Sequence, residues 1–187
     1  MRRISARGLG TGLLAAGAIG VAVVGFTGSA SAEQGQGANT AKIKMAIKGE
    51  KLDFFGADSV AEGQKLEIIN RTRVDEVGPH TFTLVEPRLV NSGKKRKRCE
   101  RLRSKLCQNI LEAHRVGPPP DFPVGRPNVD RGRKGWDKEF TKRKKGDSWF
   151  TDERGATETR RVTANAGETL GYFCVVHPFM RGKLEVE

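Results

Sequence analysis

The chain ends in GYFCVVHPFMRGKLEVE, Gly171–Glu187. It is apolar from Tyr172 to Val176, and its last six residues, GKLEVE, alternate so that Leu184 and Val186 share one face. Successive side chains of an extended chain point to opposite faces, so the pattern predicts two strands joined by a short loop. In and beside that loop stand Cys174, His177 and Met180, one each of the chain's three Cys, three His and three Met.

Working outward, the rest of the flanking sequence also reads as strands. TRRVTANAGETL predicts a strand near Arg160 to Ala164, a turn at Asn165-Ala166-Gly167, and a strand from about Leu170 to Val175. Upstream, AKIKMAIKG alternates around Ile43, Met45 and Ile47. GQKLEIINRT runs from a turn signal to Asn70, and HTFTLVEP alternates Phe82 and Leu84 before stopping at Pro87. Short strands, Gly and Asn turns and no strong amphipathic helix predict an all-β sandwich.

Two segments stand apart. The first 32 residues combine Arg2, Arg3 and Arg7, an apolar run from Leu13 to Phe26, and Ala30-Ser31-Ala32. This is the pattern of a cleavable export signal, with cleavage expected near Ala32. A membrane anchor is the competing reading, against which the run's shortness and Gly/Ala content count. Arg2-Arg3 leaves general and twin-arginine export both open. Residues 33–40 read as a polar, Gly-rich flexible leader, and residues 41–187 as one domain. The expected location is extracytoplasmic: secreted, periplasmic or cell-surface.

The second segment is Arg88–Phe150, with 19 Lys or Arg against 7 Asp or Glu, so it alone carries the chain's formal net charge of +12. Such a shift in composition marks an insertion into the β framework. We expect a long basic loop with one short helix near QNILEAH, and with Trp136, Phe140, Trp149 and Phe150 as its anchors.

Thiolate and thioether sulfur are soft ligands, and two imidazoles with one thiolate and a weak axial Met make the donor set of blue-copper electron-transfer centres. Cys174, His177 and Met180 supply three donors, and the fourth must be His80 or His114. His80 opens a predicted strand whereas His114 lies in the basic insertion, which favours His80. Three His in the whole chain cannot build the additional copper sites of a multicopper oxidase or nitrite reductase. An enzyme is therefore not expected.

CVVHPFMRGKLEVE, with the upstream INR and PH pieces, resembles the amicyanin/plastocyanin-like cupredoxins, the type 1 blue copper proteins. The resemblance covers about Ala41 to Glu86 and Thr159 to Glu187 and leaves the insertion without a counterpart. It implies a Greek-key β-sandwich and one copper held by His80, Cys174, His177 and Met180. It further implies an electron port at His177 with Pro178 and Phe179 beside it. Thr81 stands where many such proteins have Asn, and Asn70 and Thr81 are the residues expected to support the ligands through hydrogen bonds.

Cys99 and Cys107 remain, and a disulfide is the default in an exported chain. One straight helix through both would separate them by about 12 Å, too far for the bond, so the helix is expected to start near Leu106 after a loop from Arg98 to Lys105. The alternative is two free thiols, one of which would compete for copper. KKRKR, the run Lys94, Lys95, Arg96, Lys97 and Arg98, is either a solvated loop or a docking surface for an acidic partner. That partner would be a redox protein or anionic polymers or lipids of the cell envelope; nucleic acid is not expected, and the protein is expected to be a monomer. The functional reading is a single-electron carrier; the alternatives are copper sequestration or delivery, and a structural envelope protein that retains the fold.

Overall fold

The computed structural model describes residues 40–117, 127, 129–132 and 135–187. The expected signal, nearly all of the leader, and the Pro-rich stretch 118–126 lie outside the described residues. Among the described residues eleven strands form: β1 (Ala41–Lys48), β2 (Lys51–Gly56), β3 (Ser59–Val60), β4 (Lys65–Asn70), β5 (His80–Val85), β6 (Asp130–Arg131), β7 (Gly135–Trp136), β8 (Ser148–Thr151), β9 (Thr157–Val162), β10 (Thr169–Phe173) and β11 (Arg181–Val186). Four helices accompany them: α1 (Val74–Val77), α2 (Pro87–Val90), α3 (Gly93–Glu100) and α4 (Lys105–His114).

The strands build two sheets. The first has the order β2-β1-β4-β9-β7 and the second β3-β11-β10-β5-β8-β6. The chain passes between the two sheets repeatedly, among other places from β4 to β5, from β8 to β9 and from β9 to β10, as in a Greek-key sandwich. The inner faces meet in one core that contains Ile43, Met45, Leu66, Ile68, Phe82, Leu84, Trp136, Trp149 and Leu184. Gly171 lies on β10 where a Cβ would stand 2.6 Å from the Val85 carbonyl oxygen and 2.7 Å from Pro87 Cα. Glycine there allows the start of α2 to lie directly on the strand.

The insertion is more ordered than its composition implies. α4 is the short helix that was expected near QNILEAH, and KKRKR lies in a further helix, α3, not in a loop. Ser92 caps α3 by accepting from the Lys95 N–H at 3.3 Å, and Arg96 pairs with Glu100 one turn on at 3.2 Å. The helix then breaks at Leu102, whose φ is +53°, and the Arg103 N–H closes onto the Arg98 carbonyl at 2.7 Å. That turn brings Cys107 back to Cys99, with the Cα atoms of the disulfide 5.6 Å apart.

Val85, Val90, Leu106, Ile110, Leu111, Phe140, Phe150, Phe173 and Val175 form a second core between the insertion and the outer face of the second sheet. All six residues of β5 are buried in consequence. The insertion also lends strands to both sheets, since β8 pairs with β5 and β7 pairs with β9. Its four aromatic anchors are each buried. Arg160 on β9 pins it further: its guanidinium meets the Asp130 carboxylate, donates to the Arg131 carbonyl at 3.0 Å, and lies 4.1 Å over the Trp136 ring. Replacing Cys99 and Cys107 together by Ser removes a short cross-link and should cost about 2–3 kcal/mol on the chain-entropy account. The loss should be read as a lower Tm, with hydrogen exchange rising in α3 and α4 before the sandwich strands.

Candidate metal centre

Strand pairing brings the donors together. β5 and β10 are antiparallel neighbours, with Thr83 opposite Phe173, so His80 at the start of β5 reaches the loop that follows β10. That loop is closed at its neck by the Cys174 N–H donating to the Met180 carbonyl at 3.0 Å, and inside it the Met180 N–H donates to the His177 carbonyl at 2.8 Å. Three donors result: Cys174 Sγ lies 4.0 Å from His80 Nδ1 and 3.7 Å from His177 Nδ1. One ligand atom from each of the three residues falls within 4.8 Å of the others. Cys174, His80 and Met180 are fully buried, and His177 is half-buried.

Electrostatics and hydrogen bonds prepare these groups. Burial, followed by the neighbouring His177, lowers the His80 pKa to about 3, so its imidazole is neutral and its lone pair free. Burial lowers His177 as well, against a backbone bond at Val77 that raises it. Burial pushes the Cys174 thiol up, while N–H groups of Thr81, His177 and Val176 pull the other way. The Thr81 and His177 N–H groups lie 3.3 Å from Cys174 Sγ. His80 Nε2 has no hydrogen-bond partner.

The group fits one copper ion. Nitrogen and sulfur donors at about 2.0 and 2.3 Å from a metal, in a trigonal plane, stand about 3.8 Å apart, close to the two sulfur–nitrogen distances here. Burial disfavours a bare thiolate at Cys174, and a soft-accepting cation held by two neutral imidazoles would supply the positive charge that lets the thiol ionise. The set is two imidazoles, one thiolate and a buried thioether across the neck of the loop.

The remaining expectations divide. His114 is buried but is not part of this cluster: its Nε2 bonds the Ser148 hydroxyl at 2.7 Å. Thr81 ties the two ligand-bearing segments together, since its hydroxyl accepts from the Val175 N–H at 2.9 Å. Asn70 does not bond the cluster; its side chain accepts from the Thr72 N–H at 2.9 Å and donates to the Glu153 carbonyl at 2.9 Å. It ends β4 rather than supporting a ligand. Phe179 is 45% exposed with its ring 5.7 Å from that of His177, whereas Pro178 is buried.

A feature the sequence reading missed is a row of buried hydroxyls. From His114 the contacts run to Ser148, from Ser148 to Thr83 at 2.6 Å, from Thr83 to Thr81 at 3.2 Å, and from Thr81 to the backbone beside Cys174. The alternation of Thr81 and Thr83 with Phe82 and Leu84 was the available signal, but it reads as a solvent face unless a further layer is known to cover it.

No family model matches the chain, and no curated protein matches it. Solved structures similar to it include a dithionite-reduced auracyanin from the photosynthetic bacterium Roseiflexus castenholzii, at 20% identity over 78% of this chain and 94% of that one, TM-score 0.40. Auracyanin B is similar at 16% identity over 79% and 88%, TM-score 0.43. Auracyanin A, a "blue" copper protein from the green thermophilic photosynthetic bacterium Chloroflexus aurantiacus, is similar at 22% identity over 79% and 98%, TM-score 0.39. In its own sandwich and donor set, the chain resembles the cupredoxins.

His80→Ala should weaken copper binding severely, and Ser148→Ala should leave one copper per chain. The latter should nonetheless cost about 1–3 kcal/mol, because it removes the hydroxyl that both His114 Nε2 and Thr83 Oγ1 contact in a buried setting. Copper titration together with urea unfolding of both variants checks this pair of outcomes.

Proposed function

We propose that this protein is an extracytoplasmic single-electron carrier that holds one type 1 copper through His80, Cys174, His177 and Met180. The observation that carries the reading is the buried His80–Cys174–His177 cluster, whose donors face one another within 4.8 Å. Copper held there would supply a one-electron couple between its cupric and cuprous states, so that an electron taken from a reduced donor could pass to an oxidised acceptor with no bond made or broken.

The chain's own residues serve that cycle. β5 fixes His80, and the neck bond between Cys174 and Met180 fixes the loop, so the donors need little rearrangement when the charge on the site changes. N–H groups of Thr81 and His177 stabilise negative charge on the sulfur. His177 is the half-buried donor, and Phe179 gives it an exposed apolar neighbour through which a partner is reached. The secretory pattern in residues 1–32 supports an extracytoplasmic site of action, as does the Cys99–Cys107 bond, a kind that persists in oxidising compartments. Among the described residues no helix is long and apolar enough to cross a membrane. The basic insertion favours acidic redox partners.

Stopped-flow mixing separates the carrier from copper delivery. A carrier exchanges electrons with a small inorganic redox reagent in far less time than it takes to yield copper to a strong chelator. Copper leaving the protein before electrons do would overturn the carrier and favour delivery.

A further inference from the structure

The basic insertion and the copper-ligand loop share a cavity of about 850 Å³, open on one side. Its floor is apolar: Val85, Leu89, Val90, Phe140 and Phe173, with Pro178 at one end. Its walls are cationic. Arg88 and Arg96 are already paired with Glu86 and Glu100. Lys95, Arg98, Arg103, Lys142, Arg143 and Lys144 pair with no carboxylate among the described residues. Glu86 is the one acidic residue of the lining.

We propose that this cavity is a recognition site for an acidic polypeptide segment that carries an apolar side chain. Charge and shape both select that class. A small anion would match one or two cations and leave the floor wet. A plain polyanion would match the walls only. An acidic chain with one aromatic or large aliphatic residue satisfies both, and the volume is that of pockets which bury a sizeable side chain with its surroundings.

The walls are also pre-ordered. Thr141 Oγ1 accepts from the Arg143 and Lys144 N–H groups at 3.2 and 2.9 Å, and Asn109 Nδ2 donates to the Lys142 carbonyl at 2.6 Å. The Cys99–Cys107 bond holds the opposite wall at the end of α3. Little ordering is therefore left to be done when a segment binds. Pro178 directly follows His177, so an occupant sits beside the donor that faces outward. This consequence rests on the carrier reading, but the binding itself does not.

The test uses a fluorescent, glutamate-rich peptide with one central Trp, and the same peptide with Ala in that place. Anisotropy is read with the full chain, both copper-free and copper-loaded. The Trp peptide should bind about tenfold more tightly than the Ala peptide. The triple change Lys142→Glu, Arg143→Glu and Lys144→Glu should weaken it about tenfold or more, most clearly at low salt. These residues are exposed, and an unchanged circular dichroism spectrum confirms that the variant folds.

Equal affinity for the two peptides would overturn the proposal in favour of diffuse surface charge. Binding untouched by the triple change would remove the cavity from the interaction. Decanoate that occupies the cavity and resists displacement by the Trp peptide would assign it to small amphiphiles instead, and would equally overturn the proposal. Peptide binding that persists in a protein failing the stopped-flow test would refute the carrier and leave this site intact. A fast carrier that ignores the peptide would do the reverse.

Discussion

The pairing of β5 with β10 is the constraint on which the rest depends. It joins His80 to Cys174 across 94 residues of sequence and sets their facing atoms 4.0 Å apart. Thr81 makes the junction firm from both directions. Its N–H reaches Cys174 Sγ, and its hydroxyl holds the N–H of Val175. The loop that carries His177 and Met180 is then closed by one backbone bond at its neck. Three donors from two distant segments are thereby held facing one another by the sandwich.

The insertion turns this sandwich into a three-layer structure on one side. By covering the outer face of the second sheet it buries the Thr81 and Thr83 side chains, which would otherwise face water. Buried hydroxyls need partners, and the row that ends at His114 supplies them. The same layer carries the positive charge and forms the cationic walls of the cavity beside Pro178. A segment whose composition looks like a solvated loop thus has two structural consequences for the metal centre: it dries the back of the ligand strand, and it presents cations next to the outward donor.

The sequence made some of this readable for physical reasons. β1, β5 and β11 were legible because apolar and polar residues alternate along them, and β4 and β10 because a turn signal precedes an apolar run in each. β2 was not: Lys51–Gly56 is an exposed or half-buried edge strand with no fully buried residue. α3 was hidden because GKKRKRCE has no apolar face to announce a helix; a Ser cap, one ion pair and a disulfide hold it. The donor set was legible because Cys174, His177 and Met180 are local and few His remain to complete it. His80 was separable from His114 by its place at a strand start, and His114 proves to be a buried partner of Ser148. The hydroxyl row, the second core and the cavity depend on which surface the insertion covers, and no local pattern encodes that. The side-chain bonds of Asn70 go to Thr72 and Glu153 and close the turn after β4.

The central claim is that the fold presents one thiolate and two imidazoles to a single copper ion. Visible absorption during titration of the protein with cupric ion tests it most directly. The account predicts an intense blue band, from sulfur-to-copper charge transfer, that saturates at one equivalent and is absent from a folded Cys174→Ser variant. A pale complex in the parent protein, or a blue band that survives in the variant, would contradict it.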